Sequence, residues 1–148
     1  MNKPLIRLTR YPTLLLILVA LTVTAAIAQS PTPRRPAITL VQLEDMFQNM
    51  REKTKWNVDG DLLWGYFFTD PQPDKLRPLA DELTKLGYRY VDLYAARDGK
   101  THVLHVEKVE THTPRSLHER NTEFYRLAER HGIASYDGMD VGPAPGKP

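Results

Sequence analysis

The sequence predicts an α+β fold, a ferredoxin-like β-α-β-β-α-β plait in which an extra N-terminal helix precedes a four-stranded antiparallel sheet. Three observations carry this. Apolar residues recur at helical spacing in three separate stretches, near 40–50, 76–86 and 117–128. Short apolar or alternating runs lie between and after them, at 62–69, 88–95, 101–110 and 133–141. Asp98-Gly99 joins the second and third of these runs as a hairpin turn. Two βα units linked by a hairpin suit one antiparallel sheet with both crossover helices on the same face.

Each element has a local reason. Thr39 is placed to cap the first helix, with Gln42 three residues on to complete a capping box. Leu40, Leu43, Phe47 and Met50 then form one stripe, and the helix ends near Lys53 or Lys55. The run Leu-Leu-Trp-Gly-Tyr-Phe-Phe-Thr at 62–69 is too short for a helix and too apolar for a loop, so it reads as a buried strand. Residues 70–74 form a loop and cap. Leu76, Leu79, Ala80, Leu83 and Leu86 mark the second helix, which Gly87 stops and whose first turns must hold Pro78. Thr113 and Pro114 open the third helix as N-cap and N1, with Leu117, Phe124, Leu127 and Ala128 on its buried stripe and Gly132 after its last turn. In the last strand, Asp137-Gly138 predicts a turn or a bulge at the sheet edge.

The chain has 148 residues, with 20 Lys and Arg against 18 Asp and Glu, and no cysteine. Disulfides, thiolate metal sites and a cysteine nucleophile are thereby excluded. Residues 1–28 hold Lys3, Arg7 and Arg10 and no acid, leaving 17 basic and 18 acidic groups in the rest. The basic balance therefore belongs to the N-terminus, and no nucleic-acid footprint is expected. After those cations come an apolar run from Leu14 to Leu21 and an Ala26-Ile27-Ala28 end, which predict a signal peptide over 1–28 cleaved before Gln29. The alternative is an uncleaved anchor, with residues 12–28 in the inner membrane. Residues 29–37 are a Pro-rich linker, 38–143 a single domain and 144–148 a disordered tail. Cleavage puts the domain in the periplasm or outside the cell.

The densest polar stretch runs from His105 to His112. On a strand, His105 and Glu107 project from one face and Lys108 and Glu110 from the other. A His and a carboxylate together suit zinc or acid–base work. A third ligand at a recognised spacing and a His-Glu-x-x-His helix are both missing, so His105 reads as a half-buried strand residue and Glu107 as paired to a base. Arg120 and Asn121 sit between two buried positions of the third helix and point back toward the sheet. An Arg there needs a carboxylate, which Glu107 or Glu110 supplies as a structural clasp. Tyr136, Asp137 and Asp140 lack the register of a calcium loop. Trp64 and Tyr66 on a sheet suggest core packing or protein docking, since the basic-glycine-aromatic signature of an RNA-stacking module is absent. There is no phosphate loop and no catalytic triad; no cofactor is called for.

The runs at 62–68, 87–89 and 104–107, His112-Thr113-Pro114 with Arg120-Asn121, and the stretch Tyr136-Asp137-Gly138-Met139-Asp140-Val141-Gly142 together resemble the RraB-like family, regulators of ribonuclease E activity B. The likeness spans about residues 46–143. It implies a small α/β plait that binds a protein and is not an enzyme; the founding regulator binds and inhibits ribonuclease E. No catalytic residue is carried over. An exported copy does not meet a cytoplasmic ribonuclease, so the expected partner is an exported enzyme or toxin, with ribonuclease E as the alternative for a cytoplasmic domain. The expected contacts are the exposed side of 62–69, with Trp64 and Tyr66, and a polar edge of Glu107, Glu110, Arg120 and Asp137, to which His112, Asn121, Tyr136 and Asp140 are candidate neighbours. A third reading, a metal-binding envelope protein or a hydrolase, requires His105, Glu107, His112, Asp137 and Asp140 to converge.

Overall fold

Residues 37–146 are described by a computed structural model. The segment read as an export signal, and the linker up to residue 36, lie outside them. The order is α1 (Leu40–Lys53), β1 (Leu62–Asp70), α2 (Pro73–Lys85), β2 (Arg89–Ala95), β3 (His102–Glu110), α3 (Pro114–Arg130) and β4 (Ser135–Pro143). The strands form one antiparallel sheet in the order β2-β3-β1-β4. This is the expected plait with its extra helix. No helix among the described residues is long and apolar enough to cross a membrane.

The central strand explains the aromatic run. β1 pairs along its whole length with β3 and β4, so its backbone is satisfied on both sides. Leu62, Trp64, Tyr66 and Phe68 point to the helix layer and are fully buried, while Leu63, Phe67 and Thr69 point to the other face. Phe124 of α3 stands over this row, with ring centroids 4.8 Å from Tyr66, 5.3 Å from Phe68 and 5.3 Å from Tyr136. α1 packs against α3, and its Phe47 stacks on Trp64 at 6.0 Å. All three helices therefore cover one face. On the other, every side chain among the described residues is at least partly exposed.

Caps fix the boundaries. The Thr39–Gln42 capping box forms as expected, and Thr113 with Ser116 makes a second one on α3. The Asp70 carboxylate is buried, accepting the Gln72 N–H at 2.8 Å and the Ala134 N–H at 2.9 Å. That tie starts α2 at Pro73, earlier than its leucines suggest, so Pro78 lies past the first turn and removes one helical hydrogen bond. β4 starts and ends two residues later than expected, because Gly132, at φ +61°, and the turn after α3 delay the return to the sheet. Asp137 is skipped in the pairing with β1, which makes the expected edge bulge.

Candidate functional site

Two polar clusters gather most of the residues that the sequence singles out, and they lie on opposite faces of the sheet. The first is centred on Glu110, the last residue of β3, whose side chain turns into the helix layer. Its carboxylate accepts from Arg120 Nη1 at 3.0 and 3.1 Å and from the Tyr66 hydroxyl at 3.2 Å. Lys108 Nζ and His112 Nε2 each lie 3.3 Å from it. Arg120 reaches back from α3 because its neighbours Leu117, Asn121 and Phe124 face the sheet. Its guanidinium also donates to the Tyr88 hydroxyl and lies over the Tyr88 and Phe124 rings, 5.7 Å from each. The expected clasp thus forms, with Glu110 as its carboxylate.

Electrostatics follow from this crowding of cations. Burial pushes the Glu110 carboxyl up, but the His112 hydrogen bond and the charges of Lys108 and His112 outweigh it and hold the group below its ordinary 4.5. Burial, reinforced by the Glu110 charge, drives the Tyr66 hydroxyl far above the usual tyrosine range, so it stays a neutral donor. Tyr136 is likewise raised by burial. Its hydroxyl donates to Asn121 Oδ1 at 2.6 Å, locking β4 to α3 in the core.

The second cluster lies on the uncovered face. Glu107 pairs with Arg89 of β2, and His105 Nε2 lies 3.4 Å from Glu107 Oε1. Phe67 stacks on the His105 ring at 4.5 Å. Asp140 of β4 stands opposite Gly65 of β1, and the missing side chain there leaves a notch. A Cβ on Gly65 would sit 2.2 Å from Asp140 Oδ1 and 2.9 Å from His105 Nε2. A strand-interior glycine is the sequence signal for such a close approach. Gly65→Ala must push aside both the exposed Asp140 side chain and the His105 ring stacked on Phe67, and the expected loss is about 1–2 kcal/mol. In a urea double-mutant cycle, Asp140→Ala should remove the part of this loss that comes from Asp140 and leave the part from His105.

These positions correct several expectations. Trp64 and Tyr66 are 1% and 0% exposed, so they belong to the core rather than to a docking surface. Asn121 and Tyr136 are also buried. Glu107 is on the face opposite Glu110 and Arg120, and the Asp137 bulge lies at Phe67 and Phe68, far along β1 from Leu62, which pairs with Glu110. No single polar edge therefore forms. His112 is in the helix layer while His105, Glu107 and Asp140 are on the open face, so the five proposed ligands do not converge. Among the described residues no group of three or more His, Asp or Glu is arranged to hold a metal. Arg89, Tyr88 and Lys108 are partners that pattern reading did not find; Tyr88 and Arg89 come together with the clusters only through the pairing of β2 with β3.

The family model described as regulator of ribonuclease activity B matches residues 42–141, from α1 to β4. No curated protein matches the chain.

Proposed function

The chain belongs to the family of regulators of ribonuclease activity B, a protein-binding family, and from that membership we propose an exported, non-enzymatic regulator that docks a partner protein on the uncovered face of its sheet. The observation that carries the reading is that face itself. Three helices are spent on the opposite side. Val109, 45% exposed, pairs with Leu63 toward one end of the open face, and Phe67 and Tyr94, the latter 41% exposed, lie toward the other, with Arg89, Glu107 and Asp140 in the row between. Exposed apolar side chains interspersed with charges suit a protein interface. The N-terminal pattern supports export, with Lys3, Arg7 and Arg10 ahead of the apolar run and a cleavage pattern ending at Ala28. The natural partner is then an exported ribonuclease or another envelope enzyme.

Fractionation of cells making the untagged chain tests the location, with intact mass as the readout. The expected species is a soluble envelope form beginning at Gln29; a full-length cytosolic species would overturn export and make ribonuclease E the target. The purified domain is then added to the ribonuclease activity of the envelope fraction. Inhibition is expected, weakened about tenfold or more by Phe67→Ala with Tyr94→Ala, the loss typical of central interface aromatics. RNA cleavage by the purified domain alone would overturn the regulator reading.

A further inference from the structure

Beside the Glu110 cluster, a groove of about 420 Å³ opens between the C-terminal end of α2 and α3. Tyr88, Phe124 and Leu127 floor it, and Leu86, 57% exposed, stands on its rim. Four cations line it, Lys108, Arg120, Arg126 and Arg130, against two carboxylates. Of those, Glu82 is engaged by His131 at 2.6 Å and by Arg130 at 3.6 Å, and Glu123 is a largely exposed partner of Arg120 at 3.3 Å. Lys108 and Arg120 are also held by Glu110, at 3.3 and 3.0 Å, so the charge offered to an occupant is that of the two exposed outer arginines, Arg126 and Arg130.

We propose that this groove binds an acidic linear segment of a partner protein, an apolar side chain seated against Leu86 and Leu127 and carboxylates on Arg126 and Arg130. The charge of the groove selects the occupant. The chain's own terminal segments have the wrong sign, since residues 1–36 hold five basic residues and no acid, and the last two residues add only Lys147. Nucleic acid is disfavoured because the floor rings are closed off: Tyr88 and Phe124 are buried beneath Lys108 and Arg120, leaving no ring face on which a base can stack. A carboxylate-bearing peptide needs no such face. It meets the two outer arginines and leaves Arg120 on Glu110. This surface is separate from the open sheet face, so a regulator of this kind can hold a partner at two points.

The test is a titration of the purified domain, residues 29–148, into a fluorescein-labelled peptide of repeated Glu-Glu-Leu units, followed by anisotropy. Saturable binding is expected at low salt, weakened as ionic strength rises, and weakened about tenfold by Arg126→Ala with Arg130→Ala. Both arginines are exposed, so a circular dichroism melt close to that of the unmodified domain is expected and separates lost binding from lost folding. A Lys-Lys-Leu peptide should not bind. Any of three results would overturn the proposal: no saturation, equal affinity in the double variant, or displacement of the peptide by poly(U) RNA at comparable charge. Concentration-dependent dimers whose contact is lost in the double variant would instead assign the groove to a second copy and also overturn it. The probe is synthetic, so its result does not depend on the natural partner or on export.

Discussion

Glu110→Ala is expected to lower the stability of the domain by about 3 kcal/mol, read as a shift of the urea midpoint with an unchanged slope. The reason is what the carboxylate leaves behind. Arg120, Lys108, His112 and the Tyr66 hydroxyl all converge on it. Removing one partner of a buried charge pair costs more than the pair contributes, because the others keep their desolvation without the attraction. Arg120 and Lys108 retain some contact with water, which keeps the loss below the upper end for fully buried pairs. Arg120→Ala should cost less, since Lys108 still neutralises the carboxylate and His112 stays in contact with it.

The same group sets an acid limb. Its folded pKa lies below the ordinary 4.5, so its contribution is complete above that value and is lost as the pH falls through the lower, folded pKa. Between neutral pH and about pH 3, the unmodified domain should lose stability more steeply than Glu110→Gln, and the two curves should approach each other at the acid end. Parallel curves would mean that Glu110 is not a carboxylate whose ionised form folding stabilises.

Much of this was legible in advance. The capping residues Thr39 and Thr113, the apolar stripes and the Asp-Gly hairpin each act within a few residues, so local chemistry reveals them. The alternation of His105 and Glu107 against Lys108 and Glu110 is likewise a property of any strand and gave the right faces. What stayed hidden depended on distance along the chain. Whether Arg120 meets Glu107 or Glu110 is decided by which face of β3 lies under α3, a matter of sheet order. The roles of Tyr88 and Arg89 depend on β2 pairing at the far side of β3. The start of α2 escaped because Asp70 is fixed by Ala134, a contact across the whole domain. The aromatics at 64, 66 and 68 were ambiguous for another reason: a central strand beneath helices and a docking strand have the same composition, and only the side on which the helices lie separates them.

Trp64 carries that distinction to an experiment. Trp64→Ala is expected to cost about 4 kcal/mol, in the range for large aromatic truncations in a core. The indole is almost wholly buried, stacks on Phe47 at 6.0 Å, meets the His112 ring edge-on at 5.4 Å and donates from Nε1 to the Glu110 carbonyl at 3.1 Å. It therefore joins α1, β1 and the end of β3, and a cavity there loosens three elements together. Trp64→Phe keeps the stacking but strands the Glu110 carbonyl, and should lose about 1–2 kcal/mol, so the difference between the variants separates packing from the hydrogen bond. A docking role would behave otherwise: a surface aromatic lowers partner affinity while leaving the melting temperature in place. If Trp64→Ala melts like the unmodified domain, the indole is not in the core and the packing of α1 on the sheet is wrong. If it melts far lower while Phe67→Ala with Tyr94→Ala does not, the two faces of β1 divide the labour, one holding the fold and the other left free to meet a partner.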